Sequence, residues 1–187
     1  DPGSANVAVD ENTLLTSDVG QSVATSSTAT FDRNGGITSY PTGVVAAYNG
    51  NFKNTSITFD ATFESVGSFA VQLRAQGTDY DTPWGGAWTN KGYMILFFSN
   101  GQVVLSKNGA AICEGWSLSS TLLGTDFTYP ITVGTINLNE STVRVFASIG
   151  SNPVINYVDT INPINNEGWF TIFNNAGCAG TFMPHDV

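Results

Sequence analysis

Histidine is almost missing from this 187-residue chain: the single one is His185, in "MPHDV" near the C-terminal end. A Ser-His-Asp or Cys-His arrangement would have to use it, and an imidazole on a fraying tail is a poor general base. His-ligated transition-metal chemistry fails on the same count. Cysteine is nearly as scarce. Cys113 and Cys178 have no CxxC neighbour and no His at ligand spacing, which argues against zinc and leaves either one disulfide or two buried thiols. Bases are few: 6 Lys and Arg face 15 acids, for a net charge of −9. Lys53, Lys91, Lys107, Arg33, Arg74 and Arg144 are scattered, so the clustered positive charge that nucleic acid requires is absent. The same balance repels an anionic membrane surface and weighs against strongly polyanionic glycans unless Ca²⁺ bridges them. No apolar run approaches the ~20 residues of a spanning helix. There is no P-loop, and no GxGxxG lies between a strand and a helix.

Helical signals are lacking too. Ala, Leu, Glu, Lys and Arg are sparse, and no long window places apolar residues at i, i+3, i+4 and i+7. Charged residues reach only 11%, against roughly 25% in an average soluble protein, and Thr, Ser, Asn and Gly take their place. That composition is typical of extracellular β-proteins and adhesive modules. With 41% hydrophobic residues the chain can bury one substantial core.

What is present is a succession of β-branched and aromatic runs broken by Gly, Asn, Pro and Asp. The Ser/Thr-rich "LLTSDVGQSVATSSTATF" offers one or two weak strands, and "TGVVAAY" follows. In "SITFDATFE", Ile57, Phe59, Ala61 and Phe63 alternate with Thr58, Asp60, Thr62 and Glu64, the period of a strand with one dry face. After "SVGS", read as a turn, Phe69, Val71, Leu73 and Ala75 face the core, with Gln72, Arg74 and Gln76 as an outer polar row. "GYMILFFSNGQVVLSKNG" is a hairpin about Asn100-Gly101, and "TVRVFASIGSNPVINYVDT" is another, turning at "GSNP". "GWFTIFNNAGCAGTFM" closes the chain. Ten to twelve strands with short antiparallel connections imply an all-β, two-sheet antiparallel sandwich with jelly-roll connectivity. Residues 1–10, "DPGSANVAVD", show neither a basic nor an apolar leader and read as a tag or linker remnant; residues 11–187 are expected to form a single domain, excised from a larger secreted protein.

Paired carboxylates are the enzymatic option left open. Asp60 and Glu64 share a face, but at ~3.3 Å per residue they stand about 13 Å apart, wider than the roughly 5–9.5 Å that glycoside hydrolysis uses. Asp79 and Asp81 also alternate, in a loop, where they could bind Ca²⁺ or sugar hydroxyls. "GTDYDTP", "NPINNEG" and "FDRNGG" could each contribute oxygens to a structural calcium, although none has the ordered spacing of an EF-hand loop.

The densest chemistry lies in "QLRAQGTDYDTPWGGAWTNKGYMILFF". Sugar rings offer apolar C–H faces and rims of hydroxyls, which aromatic faces and planar polar groups complement. Arg74 and Gln76 leave one strand; Asp79, Tyr80 and Asp81 begin the insert; Trp84 and Trp88 follow, and Asn90, Lys91 and Tyr93 lead into the next strand. Two readings stand side by side: a ligand platform, or tryptophans folded back to plug the sandwich end with Arg74 paired to Asp79 or Asp81. Trp116 in "CEGW" is a weaker, exposed candidate, and Trp169 in "WFTIF" is expected in the core.

The order "ITFDATFE…FAVQLRAQ…GYMILFFSNGQVVLSKNG…STVRVFASIGSNPVINYVDT…GWFTIFNNAG", from about Ser56 to Gly177, resembles concanavalin-A-like sandwich modules. It is similar to the laminin-G-like and fructan-module-like domains attached to large bacterial extracellular polysaccharide-degrading enzymes. The resemblance implies a secreted, non-catalytic carbohydrate-binding module that keeps an appended enzyme near its polysaccharide. The expected ligand set is Arg74, Gln76, Asp79, Asp81, Trp84, Trp88 and Tyr93, in a monomeric module of a multidomain chain. Alternatives are a polysaccharide lyase or glycoside hydrolase on the same sandwich, with Tyr93 and Arg74 as the pair to inspect, or a structural or adhesive surface domain.

Overall fold

The computed structural model describes residues 30–31, 37–39, 43–76, 92–116, 128–178 and 183–185. The tag reading of residues 1–10, most of the weak N-terminal strands, and the "FDRNGG" loop beyond Phe31 fall outside them. So do Asp79, Asp81, Trp84 and Trp88.

Every regular element among the described residues is a strand. In chain order they are β1 (Thr30–Phe31), β2 (Ile37–Ser39), β3 (Gly43–Phe52), β4 (Thr55–Ala75), β5 (Tyr93–Phe98) and β6 (Gln102–Lys107). β7 (Ala110–Trp116), β8 (Thr128–Asn139), β9 (Thr142–Ile149), β10 (Asn152–Asp159), β11 (Gly168–Cys178) and β12 (Met183–His185) complete the set. All pairings are antiparallel, and β1 and β2 form a separate two-stranded ladder.

The 21-residue β4 departs from the two strands and intervening "SVGS" turn expected from the sequence. Its first half, Thr55–Thr62, pairs with β8, while Ser68–Leu73 pairs with β5 and the C-terminal half also with β11. One strand therefore runs from one sheet into the other. The first sheet has the order β7-β6-β5-β4-β11-β3, and the second β10-β9-β8-β4-β12. At the crossing, Ser99 holds the backbone of Gly67 from both sides: its N–H donates to Gly67 O at 2.9 Å, and its Oγ accepts from Gly67 N at 3.0 Å.

The core lies between the sheets. Phe69 and Phe97 stack at a centroid distance of 5.0 Å, and Ile57, Val71, Ile95, Leu105, Val133 and Val145 pack around them, all fully buried. Each such aliphatic side chain contributes about 1.5–3 kcal/mol by leaving water, which is what holds two sheets with few charges together. At the far margin β7 and β10 close the seam: a Cβ on Gly115 would lie 1.8 Å from the carbonyl oxygen of Val154. Both expected hairpins form. Asn100 Oδ1 accepts from Gln102 N at 2.9 Å with Gly101 at φ 91°, and Gly150 turns the second at φ 59°. Cys113 carries a free, half-buried thiol, so of the two readings for the cysteines the bridge to Cys178 is not the one formed. Burial and the neighbouring Glu114 push that thiol's pKa up.

Candidate functional site

The segment between β4 and β5 leaves the first sheet at Gln76 and returns at Gly92, and the strands beneath it pair Leu73 with Tyr93. Whatever residues 77–91 present, both of their roots stand on the same end of the sandwich.

That end is built around Arg74. The expected outer polar row is corrected here: Gln72 and Arg74 are both fully buried. Gln72 lies across Gly92, where an added Cβ would meet its Nε2 at 2.7 Å. Arg74 is turned inward by a β-bulge. Trp169 pairs with Ala75 and Thr171 with Gln72, so Leu73 and Arg74 together oppose the single residue Phe170. Arg74 takes the left-handed conformation at this bulge, φ 53°, at a cost of about 1–2 kcal/mol for a residue with a Cβ. Gly168 makes room for it: a Cβ there would lie 2.5 Å from Arg74 C and from Ala75 O. Strict alternation would have sent this side chain outward; one extra residue reverses it.

The guanidinium crosses between the sheets and is satisfied by neutral oxygens. Its Nε donates to Thr135 Oγ1 at 3.0 Å and Lys53 O at 3.1 Å. Nη1 donates to Asn137 Oδ1 at 2.5 Å and Ile164 O at 2.7 Å, and Nη2 to Lys53 O at 2.7 Å. Burial lowers its pKa to about 10, which still leaves it charged at neutral pH. Every nitrogen of the head has a partner among the described residues; Asp79 and Asp81, the partners that sequence reading offered, lie outside them.

Tyr93 is likewise fully buried, and its hydroxyl is committed on both sides. It donates to Asp159 Oδ2 at 2.6 Å and accepts from Ile164 N at 3.0 Å. Burial first, then the hydrogen bond to Asp159, pushes the phenol well above its ordinary pKa. A neutral, enclosed phenol has neither the charge state nor the access of a general base, so Tyr93 and Arg74 do not form a lyase-like pair in this geometry. Asp159, nearly fully buried, is held by Lys107 Nζ at 2.7 Å and by Ile161 N at 3.1 Å. Burial alone would raise its carboxyl, but the bonds from Lys107, Tyr93 and Ile161 outweigh it and hold the group below the usual range.

These side chains share one task, which is to pin residues 160–167 across the sandwich end. Arg74 holds Ile164 O, Tyr93 holds Ile164 N, and Lys107 reaches Ile161 O. Gln76 Nε2 donates to Glu167 O at 2.8 Å and Arg74 O at 3.1 Å, and Asn137 Nδ2 donates to Asn165 O at 3.3 Å. Of the expected ligand residues, the structure thus brings Arg74, Gln76 and Tyr93 together as a frame. Sequence reading missed Asp159 and Lys107, and read "NPINNEG" only as a candidate source of calcium oxygens. The available signal was the scarcity of charge: an Asp at the end of "NYVDT" in so uncharged a chain needs a reason.

Three backbone oxygens of "NPINNEG" are committed in this frame. Ile164 O, Asn165 O and Glu167 O accept from Arg74, Asn137 and Gln76. Asn165 Oδ1 is buried without a partner, one hard oxygen where calcium needs six to eight. Among the described residues there is no group of three or more His, Cys, Asp or Glu that could hold a metal.

No family model and no curated protein matches the chain by sequence. In structure it is similar to the carbohydrate recognition domain of Emp46p, in a metal-free form (10% identity, 83% of this chain and 82% of that one, TM-score 0.52). The potassium-bound form of the same domain gives 11% identity, 83% of each chain and TM-score 0.52. A human SPRY domain (15% identity, 84% of this chain and 94% of that one, TM-score 0.49) and a Bacillus licheniformis beta-glucanase (10%, 84%, 80%, 0.49) are also similar. At these identities the likeness shows the fold, a concanavalin-A-like jelly-roll sandwich.

Proposed function

We propose that this chain is a non-catalytic carbohydrate-binding module, secreted as part of a larger polysaccharide-degrading protein. The observation that carries the proposal is the buried Arg74–Tyr93–Asp159 frame directly beneath both roots of the Trp-rich insert. A binding segment needs fixed attachment points, because contacts held loosely lose affinity to ordering entropy. Arg74, Gln76 and Tyr93 act here as positioning residues, and ligand contact falls to Asp79, Asp81, Trp84 and Trp88. The fold shared with a carbohydrate recognition domain supports the reading without specifying a sugar. Affinity at one such site is weak and gains from neighbouring modules on the same polysaccharide.

Native gels containing a panel of polysaccharides test this directly. The wild type is retarded on at least one, and Trp84→Ala or Trp88→Ala removes the retardation. Equal retardation of both variants would exclude the insert as the site. Incubation with the same polysaccharides yields no new reducing ends or unsaturated products; their appearance would move the chain to the lyase or hydrolase class.

A further inference from the structure

The outer face of the second sheet carries a group that the sandwich end does not use. On β9, Arg144 and Phe146 occupy alternate positions and share the face opposite the core, since Val143, Val145 and Ala147 between and beside them are buried. Across the ladders, Arg144 stands between Val158 and Ile136, and Phe146 between Asn156 and Gly134. The Arg144 guanidinium lies over the Phe146 ring at 5.1 Å, and its Nε donates to Asn156 Oδ1 at 2.7 Å. This fixes the plane of the head. Among the described residues Nη1 and Nη2 have no bonded partner, and the ion pair found there is Lys107–Asp159, not one at Arg144.

An arginine with no carboxylate partner among the described residues is unexpected in a chain with 15 acids and 6 bases. Its neighbours on this face are all neutral: Val158 and Ile136 across the ladders, Phe146 along β9 and Asn156 on the diagonal. The head is half-buried, stacked and oriented, and among the described residues its Nη edge, the one a carboxylate fits in two-fold fashion, carries no hydrogen bond. Beside it, the half-buried Phe146 ring braces the guanidinium, and Asn156 is an exposed amide of the kind that meets a sugar's hydroxyls.

We propose that this face is a second saccharide subsite, centred on Arg144, Phe146 and Asn156, that takes a uronic-acid unit through its carboxylate. It rests on the carbohydrate-binding reading and extends it to an acidic sugar. The net charge of −9 opposes a polyanion at long range. At physiological salt that repulsion is screened beyond about 8 Å, whereas a guanidinium–carboxylate contact at hydrogen-bond distance is not.

The test uses the 187-residue chain on native gels containing either polygalacturonate or a neutral mixed-linkage β-glucan. The wild type is retarded by polygalacturonate, and Arg144→Gln weakens that apparent affinity at least tenfold while leaving behaviour on the glucan unchanged. Asn156→Asp, which supplies an internal carboxylate to the same arginine, gives the same loss, and Arg144→Lys, which keeps charge without the fork, falls between. Circular dichroism melts identify any variant that loses binding by unfolding, and the Asn156→Asp result then decides. A wild type held by the glucan but not by polygalacturonate overturns the subsite and leaves the module reading standing. Retardation on polygalacturonate that survives Arg144→Gln and Asn156→Asp but disappears in Trp84→Ala also overturns it, and places acidic sugar on the insert. No retardation on any gel overturns both.

Discussion

Two arginines leave two strands of this sandwich at positions that alternation assigns to solvent, and the fold treats them oppositely. On β9 the burial pattern alternates without a break, and Arg144 stays on the outer face, laid over Phe146. At the end of β4 the run from Ser68 to Ala75 is buried throughout, and Arg74 is folded between the sheets. The difference is one residue of bulge opposite Phe170, not a difference in side-chain chemistry. A period-two pattern assigns faces only while the ladder keeps register; a single extra residue hands the next side chain to the other side.

The comparison can be broken most forcefully at Arg74. Arg74→Met should destabilise the domain by about 3–5 kcal/mol, because the oxygens of Lys53, Asn137 and Ile164 lose a buried charged donor at once. Arg144→Met should stay within about 0.5 kcal/mol, as surface changes usually do. Urea unfolding of the two variants side by side measures the contrast, and equal losses would refute the assignment of one to the frame and the other to the surface.

Next in size is the glycine that admits the bulge. Gly168→Ala should cost about 2–3 kcal/mol, since its Cβ would sit 2.5 Å from Arg74 backbone rather than from a side chain able to move away. Thermal melts check this; an unchanged midpoint would show that the bulge relaxes freely.

Asp159→Asn sharpens the comparison in a pH-dependent way, with an expected loss of about 1.5–2 kcal/mol at neutral pH. The folded carboxyl is held below its ordinary range, so its stabilisation is complete above the unfolded value of about 4 and disappears as pH falls through the lower folded value. The gap between wild type and Asp159→Asn in urea unfolding should therefore close below about pH 4. A gap that persists in stronger acid would remove the ionised carboxylate from the frame.

Much of this was legible in the residues. "SNG" and "GSNP" mark their hairpins because glycine and asparagine tolerate the turn geometry, and "TVRVFASI" forms a strand of the second one, its burial alternating residue by residue. "SVGS" misled, because its small residues serve a strand crossing between sheets as readily as a turn. Arg74 could not be placed from sequence. Its bulge depends on Gly168, almost a hundred residues away, and on oxygens from three other parts of the chain, none of which leaves a local pattern. The insert was recognised by its composition, and the frame beneath it only by coordinates.

On the proposed function, ligand contact and structural support are divided between the insert and its frame. The most direct measurement combines gel retardation with the thermal midpoint for Trp84→Ala/Trp88→Ala on a polysaccharide that retards the wild type. The account predicts that retardation is lost while the midpoint moves by no more than a few degrees. Retained retardation, or a midpoint that falls as steeply as in Arg74→Met, would show that the tryptophans plug the sandwich end and that the sugar is bound elsewhere.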